Sequence, residues 1–219
     1  MKYNLLAAVL ASSFSITAMA APITDLYNTG AGSVAGGIDS NYALSYSGGD
    51  ATVFGANGYE GTGWPTNGTW IANDSTSQWI TPGTSASTSY DASSNGTYTW
   101  TLEFDLTGYD AANASFDGLW ATDNGGTLSL NGDALSNAST SFTQWSTFSN
   151  LGGTFNSGLN TLEFTVTNIV QATGNPTGLR VEFLNSNADL TSVPEPTALS
   201  LLGLGLIALG FSRKKAKSQ

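Results

Sequence analysis

Catalysis and binding need side chains that carry protons, metals or flat rings, and this chain of 219 residues is selective about which it keeps. It has no histidine and no cysteine. That excludes Ser-His-Asp and Cys-His machinery and the usual zinc sites. Oxygen ligands and aromatic rings remain. Asp123 and Asn124 head the tightest acidic turn, Asp123-Asn124-Gly125-Gly126, with Asp117 and Asp133 near in sequence. Calcium takes about six to eight oxygen ligands, so Asp123 and Asn124 are candidate calcium ligands. The alternating acids and closing Glu of an EF-hand are absent, and turn formation accounts for the same two residues without a metal. Glycoside hydrolysis needs two opposed carboxylates. Glu60, Glu103, Glu163 and Glu182 are available, but Glu103, Glu163 and Glu182 occupy outward positions of alternating segments, where charge serves solubility. Tyr59 and Trp64 stand in a glycine-rich stretch, 55–68. Rings placed there suit stacking on a sugar, or folding back to cap a core.

The elements that would position these groups read as strands. Segment 97–106 alternates without a break: Tyr98, Trp100, Leu102, Phe104 and Leu106 form one face, and Thr97, Thr99, Thr101, Glu103 and Asp105 the other. Period-two alternation of this kind is the mark of a half-buried strand. Segments 41–47, 161–168 and 178–184 repeat the pattern, the last two with Leu162, Phe164 and Val166 and with Leu179, Val181 and Phe183 inward. Arg180 and Glu182 share the opposite face of 178–184. Gly48-Gly49-Asp50 predicts a turn into a strand over 51–54, and Asn131-Gly132 is a strong hairpin signal after 127–130. Shorter strands are expected over 69–72, 77–80 and 115–122, with Trp70, Trp79, Phe116 and Trp120 as core residues; 141–148 brings Phe142, Trp145 and Phe148. Around ten short strands at regular spacing, with no helical periodicity, predict an all-β antiparallel β-sandwich of the jelly-roll kind over 21–185.

Both ends differ from this body. At the start, Lys2 precedes an apolar stretch over 5–16 and Ala18-Met19-Ala20, an A-x-A cleavage pattern, so residues 1–20 read as a secretory signal peptide. After a polar linker, 186–192, comes Val193-Pro194-Glu195-Pro196, an uncharged apolar run over 197–211, and a basic cluster with Arg213, Lys214, Lys215 and Lys217. As a helix the run is ~22 Å long at ~1.5 Å per residue, short of the ~30 Å hydrocarbon core. The basic cluster would keep the C-terminus cytoplasmic. Taken alone, the run is a single-span anchor.

The three-part tail, 193–219, resembles the PEP-CTERM sorting signal of Gram-negative bacteria that make extracellular polysaccharide. The resemblance implies a sorting motif at Val193, Pro194, Glu195 and Pro196 with Arg213, Lys214 and Lys215. It implies transient anchoring in the inner membrane through 197–211, and an exosortase that cuts near Pro-Glu-Pro and delivers the body to the outer surface or the medium. A second resemblance lies in the body, over about 95–185. Residues 120–132 and the later Gly158-Leu159-Asn160-Thr161-Leu162-Glu163-Phe164 are similar to galactose-binding-domain-like jelly rolls, in which a strand ending at Asn-Gly shares a sandwich with a Gly-x-Asn-x-Leu strand. Those motifs are structural punctuation more than ligand chemistry.

Charge narrows the partners. Fifteen of the sixteen acids lie in 21–192 with a single base, Arg180, a net of −14. Nucleic-acid binding depends on Lys and Arg neutralising phosphates, so this surface argues against it. Cofactors are not expected, calcium apart. Two classes of function are left: a structural or binding component of the extracellular polysaccharide matrix with no catalysis, and a secreted glycan-active hydrolase. The missing His and Cys and the absence of a paired-carboxylate motif favour the first.

Overall fold

The computed structural model describes residues 19–49, 55, 57–191 and 203. The sorting tail (position 203 apart), the apolar stretch of the leader and the strand expected over 51–54 lie outside the described residues. Eleven described strands follow in chain order: β1 Ala20–Ala21, β2 Ile38–Gly48, β3 Asn57–Glu60, β4 Ile80–Thr81, β5 Gly96–Asp105, β6 Tyr109–Asp123, β7 Gly125–Leu130, β8 Asp133–Ser139, β9 Ser146–Ser149, β10 Leu159–Asn168 and β11 Gly178–Leu190. They hydrogen-bond in the order β8-β7-β10-β5-β2-β3-β4-β11-β6-β9, with β1 added on β11. Every strand pairing is antiparallel. Among the described residues no helix is long and apolar enough to cross a membrane.

One long sheet of this order cannot stay flat, because its inner faces need cover. Phe164 of β10 meets Trp120 of β6 at 5.7 Å and Phe148 of β9 at 5.9 Å between ring centroids. These strands are far apart along the hydrogen-bonded path, so the sheet folds over on itself, and its two ends, β8 and β9, come together. The result is the expected antiparallel β-sandwich, with a single core between the layers. The alternation of β5 is realised in full: Tyr98, Trp100, Leu102, Phe104 and, just past the strand, Leu106 are all buried, while Glu103 and Asp105 are exposed. On β10, Leu162, Phe164 and Val166 have no exposed surface. Gly118 of β6 sits tightly between its neighbouring strands; a Cβ there would collide with the Glu182 backbone of β11 and the Phe148 ring of β9.

The Asn-Gly hairpin forms as expected between β7 and β8, with Asn131 and Gly132 both at positive φ (53° and 87°). Asn131 does more than turn the chain. Its Nδ2 donates to Asn160 Oδ1 at 2.8 Å, and its Oδ1 accepts from the Thr161 backbone at 2.9 Å. Asn160, fully buried, in turn donates to the Gly158 and Asn156 carbonyls. The Asn-Gly and Gly-x-Asn-x-Leu segments are therefore one clamp that registers β7 on β10.

Several expectations fail locally. Asn57–Glu60 forms β3 and pairs with β2 on the edge opposite β5, so Tyr59 lies on a strand and the loop read over 55–68 is interrupted by pairing. Segments 69–72 and 77–79 form turns and irregular chain; only Ile80–Thr81 pairs there, because Trp70 and Trp79 pack on an outer face instead of extending a sheet. The stretch 186–190, read as linker, continues β11 and pairs with both β6 and β1. The Ala20–Ala21 bond, the expected leader junction, lies inside β1.

Candidate functional site

The residues singled out for chemistry end in three separate places. Asp123 closes β6 with only 5% of its surface exposed. Its Oδ2 accepts from the Trp70 indole at 2.8 Å and its Oδ1 from the Asn124 amide at 2.7 Å. Asn124 Oδ1 is used as well, accepting from the Ile169 backbone at 2.7 Å. Burial pushes the Asp123 carboxyl up to about 6, and the Trp70 hydrogen bond pulls it partly back. Asp117 and Asp133 bind elsewhere, to Asn185 and to the Thr154 backbone. Among the described residues no three acidic side chains gather to hold a metal. Asp123 and Asn124 therefore lock the turn from β6 to β7, with their oxygens accepting from protein donors.

Tyr59 and Trp64 do not converge on a shared site. Tyr59 is half-buried on β3 and stands over Gly55, whereas Trp64 is 45% exposed in the following turn and donates to Thr69 Oγ1 at 2.8 Å. Beyond that turn the chain covers the outer face of β11, and it does so around Arg180. This arginine, expected on a solvent face, is fully buried. Its Nε donates to Ser77 Oγ at 2.6 Å, and its Nη atoms to the Ile71 and Ala72 carbonyls. Asp74 pairs with it at 3.0 Å and Glu182 at 3.3 Å, and the Trp145 ring lies under it at 4.9 Å. Trp70, Trp79, Ala86 and Ala121 pack beside it as a second apolar cluster. A guanidinium buried with this many acceptors is a structural pin.

Two grooves among the described residues were not among the expected sites. A groove of about 370 Å³ lies on the outward face of β2 and β5 and is lined by Asp25, Tyr27, Ser40, Asn41, Ala43, Asn57, Thr101, Leu102 and Glu103. Register builds its floor: Ala43 pairs with Thr101 on one side and Asn57 on the other, three short side chains in a row. The preceding segment builds its wall. Thr29 exchanges hydrogen bonds with Val181, Asn28 Oδ1 accepts from the Phe183 backbone at 2.7 Å, and the buried Tyr42 hydroxyl donates to the Tyr27 carbonyl at 2.6 Å. The Tyr27 side chain stays 42% exposed. Its hydroxyl donates to Asp25 Oδ1 at 2.9 Å, and that carboxylate holds the phenol's pKa above its ordinary value through the hydrogen bond and its charge. A second groove, about 310 Å³, shares Tyr27 and runs toward Asn28, Thr76 and 183–186. One ring thus borders two grooves on a rigidly stitched segment. Sequence reading missed it because 21–37 has no periodicity; the Asp-x-Tyr spacing was the one local signal.

Comparison with known proteins gives an address more than an activity. Residues 192–214 match the PEP-CTERM protein-sorting motif. No curated protein matches the chain. Among solved structures, a family 11 carbohydrate-binding module from Clostridium thermocellum, in complex with a β-1,3-1,4-mixed-linked tetrasaccharide, is similar at 9% identity and TM-score 0.29, over 68% of this chain and 88% of that one. A GH31 α-xylosidase from Xanthomonas citri is similar at 13% identity and TM-score 0.23, over 47% of this chain and 12% of that one. Likeness at that level carries no functional weight. The tail does: by residues 192–214 the chain bears the PEP-CTERM signal that exosortase recognises, the mark of proteins exported and processed at the membrane.

Proposed function

We propose that the body is a non-catalytic, glycan-associated component of the extracellular matrix, delivered to the surface or the medium by exosortase, and that the Tyr27 groove is where glycan sits. The observation that carries this reading is the groove itself: a half-exposed ring held rigidly above a floor of short side chains, with Asp25, Asn41, Asn57 and Glu103 around it. Sugars offer an apolar ring face and many hydroxyls, which suit an aromatic wall with carboxylate and amide acceptors. Asn41 and Asn57 each spend one amide hydrogen, on the Ala31 and Tyr42 carbonyls, which fixes the amides and leaves their oxygens to accept from a ligand. The non-catalytic part rests on where acid chemistry is available. A glycosidase acid needs a raised pKa beside the scissile bond. Among the described residues the carboxyls raised by burial are Asp39 and Asp123, and neither lines the groove.

Titration calorimetry of the full-length chain in detergent, on a panel of neutral and acidic glycans including the host's own exopolysaccharide, tests this. Weak binding of a neutral glycan, nearly flat across a salt series, is expected. Tyr27→Ala should weaken it about tenfold or more, a loss of ~1.4 kcal/mol or greater, while Trp64→Ala leaves it unchanged. Loss with Trp64→Ala and not with Tyr27→Ala would move the site to the turn. Shortened glycan products in the same tubes would replace binding by hydrolysis.

A further inference from the structure

Five Asn-Gly pairs occur in the chain, at Asn57, Asn67, Asn95, Asn124 and Asn131. Asn-Gly is the dipeptide in which a backbone nitrogen most easily reaches the preceding side-chain amide, since glycine places no side chain in the way. Four of the five are held. Asn57 lies in β3 with its amide on the Tyr42 carbonyl. Asn95 Oδ1 accepts from the Val170 backbone at 2.8 Å. Asn124 is fixed at both ends of its amide by Asp123 and Ile169. Asn131 is fixed by Asn160, Thr154 and Thr161. Asn67 is different. It and Gly68 are exposed in a turn, nothing lies within 4 Å of where a Gly68 side chain would be, and among the described residues neither the Asn67 amide nor the Gly68 nitrogen has a hydrogen-bond partner.

We infer that Asn67-Gly68 is a built-in site of spontaneous covalent modification, at which the folded chain exchanges an amide for a carboxylate while its other Asn-Gly pairs stay intact. The Gly68 nitrogen attacks Asn67 Cγ; the ring C–N bond forms, the Cγ–NH₂ bond breaks, and ammonia leaves with the proton from Gly68. Water then opens the succinimide at either carbonyl, leaving aspartate or isoaspartate at position 67. No oxidant or enzyme enters the balance. The isoaspartate product adds one methylene to the main chain inside a turn closed by Trp64 Nε1 on Thr69 Oγ1 and by the Thr69 and Trp70 backbone nitrogens on the Pro65 carbonyl. Ageing would therefore loosen the exposed Trp64 and add a negative charge beside it.

Peptide mapping of the full-length chain, aged in detergent at mildly alkaline pH, reads the outcome directly. Folded protein should show the small mass gain of amide-to-acid exchange, with isoaspartate, at position 67 alone, and Asn67→Gln should abolish it. The same chain aged in denaturant should convert at all five pairs, which sets the intrinsic reactivity. Conversion at Asn57, Asn95, Asn124 or Asn131 in folded protein at the rate of Asn67 would overturn the inference. So would an unchanged Asn67 in folded protein over a period in which the denatured chain converts.

Discussion

At Asp123 one carboxyl has been taken out of water and given an indole for company, and its ionisation is tied to folding. Its folded pKa, about 6, lies above the ordinary 3.8, so the folded chain holds the proton more tightly than the unfolded one. The stability this provides is full below about 4 and is lost as pH rises through about 6. Urea midpoints measured across that window should fall toward neutrality, with Asp123 contributing ~3 kcal/mol at most because its burial is incomplete; Asp39, also raised by burial, adds in the same sense, and Asp74, held low mainly by the Thr76 and Ser77 backbone against a desolvation push upward, acts in the opposite sense. Trp70→Phe removes the donor that lowers the Asp123 pKa, so the window should move to higher pH. A window unmoved in that variant would show that Trp70 does not hold the carboxylate. None of this was visible from sequence, where Asp123 looked like a surface turn residue. Its partner Trp70 is 53 positions away, and only the folded chain brings them together.

Strands were the legible part. The β5 alternation is written in ten consecutive residues, and a half-buried strand requires nothing but that local pattern. Trp100, fully buried and paired across to Leu44 and Phe164, sits at the middle of it. Trp100→Ala should cost ~3–5 kcal/mol, whereas Glu103→Ala, on the opposite face of the same strand, should stay within ~0.5 kcal/mol. Equal shifts in the urea midpoint would mean that the strand faces the other way. What the strand pattern could not carry was the cover. Arg180 alternates outward on β11 just as the sequence reads, yet the segment around 71–77 and Trp145 close over it from elsewhere in the chain. The groove was hidden for a related reason. Its wall, Asp25 and Tyr27, comes from a stretch without period, its floor from three strands brought side by side by register, and no single window of sequence contains both.

As a whole, the body is acidic, with a net of −14 over 21–192 and its single cation buried under cover. That arrangement has a bearing on life outside the cell, where secreted proteases are plentiful. Enzymes that cut after lysine or arginine have one target in the body, the bond following Arg180, and it lies within the paired first part of β11 with the side chain they must grip fully buried. Trypsin should therefore leave the folded body whole while trimming the basic cluster at the C-terminus, and should cut it once, after Arg180, when denaturant opens the sandwich. Gel electrophoresis of both digests decides the matter; a nick at Arg180 under native conditions would mean that β11 opens far more readily than its packing implies. By this measure the folded body is cryptic to a whole class of protease through a single placement.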